Sequence, residues 1–217
     1  MNGAGVLSGE LYVYEPDSRN GYRHKDPQHG DCHASCIKML QFYSEERLQG
    51  LNLTGLTVVE PPYHSFVVYG NEDTFVMDVR RYKQVGSWYW QTDGLEIYSG
   101  STQRHCFLHT NDDAIKLYHS NILVEDIVIW KGENGPAIQF GWYSRDMSQI
   151  VARDIAVIHN LMHYDTHNIC IINSAKPWDG SCFSDRTVRD VSFERIRAEG
   201  ANFCAMRTWA VLSLARL

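Results

Sequence analysis

Helical periodicity is scarce in this chain of 217 residues, and only Ile37 to Leu48 reads as mildly helical. No apolar run reaches the roughly 18 residues that a membrane helix needs, so no membrane partner is expected. Met1 to Glu10 lacks the basic flank and apolar stretch of a signal peptide, and Met1 reads as an internal or artificial start. Lys and Arg never form a run, and the formal net charge is −6. A nucleic-acid partner is thereby excluded, because phosphate binding needs a concentrated basic surface. A neutral substrate is compatible with this balance. Cys32, Cys36, Cys106, Cys170, Cys182 and Cys204 form no CxxC pair, so no zinc site is assembled by spacing. Cys32 and Cys36 read as a short disulfide loop of a secreted protein rather than metal ligands, and Cys106 as a buried free thiol. Tight hairpin signals are also few, which argues against an antiparallel β-sandwich.

What the chain does have is a recurring β pattern. Short β-rich runs are separated by Gly, Asn, Asp and Pro. An apolar-x-apolar strand, a polar turn and a second apolar strand repeat. The first half appears as Leu53 to Val58, Val124 to Ile129, Ala152 to Val157 and Val188 to Phe193. The second half appears as Ser65 to Tyr69, Gly94 to Tyr98, Ala114 to Tyr118 and Ala137 to Gly141. Side chains alternate faces along a strand, so Phe66, Leu95, Ile115 and Ile138 form one inward column. Val68, Ile97, Leu117 and Phe140 form another. Spacings of 29, 20 and 23 residues in the first column fit one coil per repeat. The fold expected is all-β: a right-handed parallel β-helix (a solenoid), incomplete at both ends.

The same register has a chemical consequence. Two residues before the first column stand His64, Asp93, Asp113 and Pro136. Neighbouring strands lie about 4.8 Å apart, so Asp93 and Asp113 stack on successive coils with Asp112 beside them facing the other way. Glu96, Lys116 and Gln139 fall in the adjacent outward column. Crowded like charges raise at least one pKa, which suits a general acid, while a partner stays ionised as base. Glycosidases use such pairs. A solvated acidic turn and a calcium site of carboxylate oxygens are the plainer readings.

Several ordered segments carry a family resemblance. They include Gly5 to Glu10, Tyr12 to Tyr14, Cys32 to Cys36 and Pro61 to Gly70. Tyr82 to Gly86 leads into Trp88-Tyr89-Trp90-Gln91-Thr92-Asp93-Gly94, and Asn111-Asp112-Asp113-Ala114-Ile115-Lys116 follows. Ile129 to Lys131, Ile138 to Trp142 and Val157 to Asn160 close the block. Together they resemble glycoside hydrolase family 49, which contains dextranases and isopullulanase, over nearly the whole chain to about Arg207. The resemblance implies an inverting endo-hydrolase of α-1,6 linkages in dextran. It implies a polysaccharide substrate, no cofactor, no metal, a monomer, and secretion from the cell. By the same resemblance Asp112 matches the general acid, and Asp93 and Asp113 match the carboxylates that position and deprotonate water. Members of the family carry an amino-terminal β-sandwich and further coils. This chain, 1–217, reads as a single partial β-helix domain without that sandwich, and 209–217 departs from the pattern.

Other residues carry two readings each. Trp88 and Trp90 share one strand face before Asp93, as a sugar platform or as core. Trp142 lines a cleft or packs, and Gln139 binds a hydroxyl or is merely an exposed strand residue. Lys116 holds a carboxylate, a sugar hydroxyl or a structural ion pair. His64 orients Asp93 or is simply hydrogen-bonded, and Trp130 reads as core. His159 and His163 lack a convincing ligand spacing. The competing functions are isopullulanase-type hydrolysis of pullulan, a non-catalytic carbohydrate-binding β-helix, and an adhesin-like solenoid.

Overall fold

A computed structural model of the chain describes residues 1–10, 25–26, 30–31, 38–44, 50–70, 75–86, 92–140, 145–161, 171–173, 187–200, 206–207 and 212–214. Parallel pairing dominates. One sheet of ten strands runs in the order Val6–Ser8, Thr57–Val59, Lys83–Val85, Thr102–Thr110, Ile122–Lys131, Met147–Ile158, Val188–Ala198 and Leu212–Leu214. Gly50–Thr54 and Val76–Arg80 complete it beside Thr102–Thr110. A second sheet of five strands runs Leu95–Ile97, Ile115–Leu117, Ile138–Phe140, Ile172–Asn173 and Met206–Arg207. Among the described residues one pair is antiparallel, Lys25–Asp26 with Gly30–Asp31. This is a parallel β-helix, as the repeat pattern predicts. Among the described residues no helix is long and apolar enough to cross a membrane.

Register follows the apolar columns. Leu95, Ile115 and Ile138 are consecutive partners, as are Ile97, Leu117 and Phe140. Phe66 joins the first column, because the Ser65 amide donates to the Asp93 carbonyl at 3.4 Å in the same ladder phase. On the long sheet, Leu53, Val79, Gln103, Val124, Ala152 and Phe193 stack inward. Val58, Gln84, Leu108, Ile129, Val157 and Ala198 form a further inward column. Most of these side chains are fully buried in one continuous core. Burial of that apolar area at ~25 cal/mol per Å² is the main term favouring the fold.

Between these two columns the chain turns a corner. Arg81, His105, Asp126, Asp154 and Arg195 all have φ between 51 and 56°, and Gly55 precedes them at 77°. They occupy equivalent positions on successive coils. Each left-handed residue inserts one extra position into the period of two, so Val124 and Ile127 both face inward although they are three apart. Left-handed backbone costs a non-glycine residue roughly 1–2 kcal/mol. Side chains pair along this outer corner: His105 Nδ1 lies 2.7 Å from Asp126, and Arg195 grips Asp154 at 2.6 and 2.7 Å.

Two sequence expectations need correction. Leu40–Ser44, inside the stretch expected to be mildly helical, is a strand paired with Phe66–Gly70. The neighbouring coil supplies ladder partners that a weak local helical preference cannot match. Val188 to Phe193 is not the counterpart of Ala152 to Val157. Val188 pairs with Met147, and Phe193 with Ala152, so the true counterpart begins five residues later. Val188–Val191–Phe193 and Phe193–Ile196–Ala198 carry the same apolar phase around a left-handed residue, Asp190 in one and Arg195 in the other. Cys106 is free and buried, as expected, and the other cysteines lie outside the described residues.

The corner geometry yields an expected outcome. Asp126→Gly should change unfolding free energy by less than about 0.5 kcal/mol although it removes the His105 contact, because glycine relieves the backbone. Asp126→Val should cost about 1–2 kcal/mol or more, since a β-branched residue tolerates positive φ poorly. Urea midpoints of the two variants check this.

Candidate active site

Three segments meet on the wall of the second sheet: the chain entering Leu95–Ile97, the turn 111–113, and the loop 132–135. Asp93 and Asp113 stand at equivalent positions, because the Gly94 amide donates to the Asp113 carbonyl at 2.9 Å, one step before the Leu95–Ile115 pair. Gly94 is required by this approach. A Cβ there would fall 2.0 Å from the Ala114 carbonyl oxygen. Asp112 follows Thr110 at the end of the long strand, and the Thr110 hydroxyl donates to the Asp112 carbonyl at 3.0 Å.

The three carboxyls have different surroundings. Asp93 is 6% exposed. Its Oδ2 accepts from Lys116 Nζ at 2.9 Å, and His64 Nδ1 lies 2.8 Å from Oδ1, out of line for a well-formed hydrogen bond. Ser65 Oγ and Gln84 Nε2 donate to its main-chain carbonyl at 3.0 and 3.2 Å. Asp112 Oδ1 accepts from the Asp113 amide at 2.9 Å, and Oδ2 from Asn134 Nδ2 at 2.8 Å. Asp113 Oδ2 accepts from the Tyr118 hydroxyl at 3.3 Å. Gly135, at φ +64°, packs directly on the pair. A Cβ on it would lie 2.2 Å from Asp112 Oδ1 and 2.7 Å from Asp113 Oδ1, so both oxygens border one point and no side chain fits between.

These surroundings grade the acidities. Burial alone would raise Asp93, but the His64 ring and the Lys116 ammonium outweigh it and hold the carboxyl at about 2. Burial first, then the Asp93 charge, lifts Asp113 to about 7, against the pull of Lys116 and Lys131. Burial, with the charges of Asp93 and Asp113 behind it, pushes Asp112 well above the ordinary carboxylate range. At neutral pH the wall can therefore keep a proton on Asp112 while Asp93 remains ionised. A plain solvated acidic turn would show no such gradient. Among the described residues, no group of three or more His, Cys, Asp or Glu side chains is arranged to hold a metal ion.

The outward column is in the expected register but not in the expected environment. Glu96, Lys116 and Gln139 are consecutive partners, and all three are buried. Lys116 bonds to Asp93, and the charges of Asp93, Glu96 and Asp113 hold its ammonium above its usual pKa despite burial. Arg145 Nη1 donates to His119 Nδ1 at 2.7 Å, which leaves His119 Nε2 to donate to Glu96 at 3.1 Å. Gln139 Oε1 accepts from Asn173 at 2.7 Å and is not an exposed strand residue. Trp130, expected in the core, faces outward on its strand, 37% exposed and stacked on His159 at 4.0 Å. Trp88, Trp90, Trp142 and His163 lie outside the described residues.

Sequence reasoning passed over Lys131, Asn111, Asn134 and Gly135. Lys131 left a signal. Val124, Ile127 and Ile129 set the inward phase, and a lysine two residues later continues it. It is fully buried.

Fold and site together define a parallel β-solenoid with a graded carboxylate trio on its wall. Comparison with known proteins takes this further. Residues 62–94 match the beta solenoid repeat from dextranase, and 130–162 match the isopullulanase beta-solenoid repeat. The dextranase of Arthrobacter sp. (strain CB-8) is 50% identical across 97% of this chain and 34% of its own length. The isopullulanase of Aspergillus niger is 34% identical across 95% of this chain and 38% of its own length. The solved structure of Dex49A from Penicillium minioluteum superposes with a TM-score of 0.75 at 26% identity, covering 97% of this chain and 38% of that one. In sequence and in fold the chain is similar to the dextranases and isopullulanases of glycoside hydrolase family 49. It spans about a third of the length of these relatives.

The acidity gradient predicts how stability depends on pH. Asp113, raised to about 7, favours the folded state fully below the unfolded carboxylate value of about 4, and that gain is lost as pH rises through about 7. Asp93, depressed to about 2, contributes fully above about 4 and loses its contribution as pH falls through about 2. The protein should therefore melt at a lower temperature at pH 8 than at pH 5. Asp113→Asn should narrow that gap, removing about 2 kcal/mol of the matching difference in unfolding free energy, because the amide needs no buried charge. An unchanged gap in melting scans would mean that Asp113 is well solvated.

Proposed function

We propose that this wall is the catalytic surface of an endo-acting glycoside hydrolase that cleaves α-1,6-glucosidic linkages of dextran with inversion of configuration. The observation that carries the reading is the grading of Asp93, Asp112 and Asp113 within one cluster built from successive coils. Asp112, kept protonated by burial and by its acidic neighbours, donates its proton to the glycosidic oxygen as the bond to the anomeric carbon breaks. A water attacks that carbon from the opposite face. Asp113 and Asp93 take up its proton and hold its orientation, with Lys116 and His64 balancing the charge on Asp93. One proton leaves the acid and one reaches the base, so the reaction needs neither cofactor nor metal.

Substrate recognition in this reading falls to Trp88, Trp90 and Trp142, whose flat rings suit sugar faces, with Lys116, Gln139 and His64 supporting from the wall. A polymeric glucan as substrate fits a protein acting outside the cell, as a monomer. The match of residues 130–162 to the isopullulanase repeat favours pullulan as the second substrate to test. Greater identity to the Arthrobacter dextranase favours dextran.

Reducing-sugar release from dextran by the full-length protein is the direct measurement. Asp112→Asn should lower kcat by about 10³-fold with little change in KM. Proton NMR of the nascent product should show the β-anomer first. Activity retained in Asp112→Asn, or an α-anomer formed first, would remove this mechanism.

A further inference from the structure

We propose that Lys131 is the positioning residue of the Asp112 carboxyl, holding it through the main-chain carbonyls of the two turns that frame it. The proposal rests on the reading of Asp112 as proton donor. An ammonium in the inward phase of a solenoid strand is costly to bury, and its burial asks for compensation. Lys131 has three donors, and each has an acceptor. Nζ donates to the carbonyls of Asn111 at 2.9 Å and Gly132 at 3.4 Å, and to that of Asn134. Among the described residues no carboxylate comes within ion-pairing distance of it. Its charge is therefore tied to the backbone and not cancelled by one acid.

Those carbonyls belong to the segments that set Asp112. Asn111 opens the turn carrying Asp112 and Asp113, and its Oδ1 accepts from the Glu133 amide at 2.7 Å. Asn134 sends its carbonyl to Lys131 and its side-chain amide to Asp112 Oδ2. Gly135, the next residue, lies against Asp112 Oδ1 and Asp113 Oδ1. Lys131 thus clips the 132–135 loop onto the 111–113 turn, and the clip delivers the Asn134 amide to the acid.

The same ammonium acts on the trio through space. Asp112, Asp113 and Asp93 all bear on it, and it lowers Asp112 and Asp113 in return. Burial brings its own pKa down to about 8. His109, on the strand beside it, is lowered by burial and by this charge, and Lys116 faces the trio from the next strand. Without the ammonium the carboxyls would hold their protons to higher pH.

The test uses the full-length protein and dextran. Lys131→Met should lower kcat about 10- to 100-fold with KM nearly unchanged, as expected for a misplaced acid. Both limbs of its pH–kcat profile should move upward by about one unit, which a merely structural loss would not produce. Lys131→Arg, which keeps the charge, should leave the limbs in place. Asn134→Ala should lower kcat about tenfold, and adding it to Lys131→Met should cost nothing further, because both act on one contact. Unmoved limbs in Lys131→Met, or additive losses in the double variant, overturn the proposal. If Lys131→Met does not fold, Asn134→Ala decides alone: wild-type kcat with an unmoved alkaline limb overturns it. Asp112→Asn separates the two readings. If that variant stays active, the assignment of the acid fails. If it is inactive while Lys131→Met behaves as wild type, only the role of Lys131 fails.

Discussion

In-register stacking of parallel strands governs this molecule. Successive coils sit about 4.8 Å apart, so a side chain at one register position lies over its counterpart in the next coil. Apolar residues gain from that arrangement, and the inward columns of Leu, Ile and Val form a continuous core. Acids lose by it unless a cation stands diagonally beside them. Asp93 over Asp113 is tolerated because Lys116, one column across, bonds to Asp93, while the nearby Glu96 charge helps to hold that ammonium protonated. The wall is a stack of polar pairs, with Glu96 bonded to His119 and Gln139 to Asn173. Each pair satisfies groups that burial would otherwise penalise.

Two buried lysines serve this wall in opposite ways. Lys116 meets a carboxylate and is held protonated, while it pins Asp93 as an anion. Among the described residues Lys131 meets only carbonyls, and burial pulls it down to about 8. One cation fixes which acid is ionised, and the other binds two turns together beneath the remaining acids. The apolar interior offsets what these buried charges cost, so the charged wall persists on the solenoid.

The corners of the solenoid obey a related rule. A left-handed residue recurs at the same place on each coil, and the period of two resumes one position later with the same face inward. Only Gly55 in the column Gly55, Arg81, His105, Asp126, Asp154 and Arg195 escapes the steric cost. The others place polar side chains along the outer edge, where His105 meets Asp126 and Arg195 meets Asp154. That corner bends the long sheet and brings the ends of Thr102–Thr110 and Ile122–Lys131 beside the second sheet, where the carboxylates stand.

Much of this was legible in the residue order. Alternation along short strands specified the inward columns, and counting back two positions from Leu95 and Ile115 put Asp93 over Asp113, with His64 beside Asp93. Those inferences hold because strand period and coil stacking are local rules. Where two segments carry the same phase, as at Val188 and Phe193, alternation alone could not choose the register, and pairing with Met147–Ile158 decided it. Leu40–Ser44 became a strand for the same reason, because its partner lies on another coil. Burial of Glu96, Lys116 and Gln139, and the carbonyl cage around Lys131, depend on loops that approach from distant parts of the chain. Residue order determined which side chains share a face. Only the tertiary structure decided which charges meet, because desolvation and Coulomb energy depend on distances that no spacing along the chain contains.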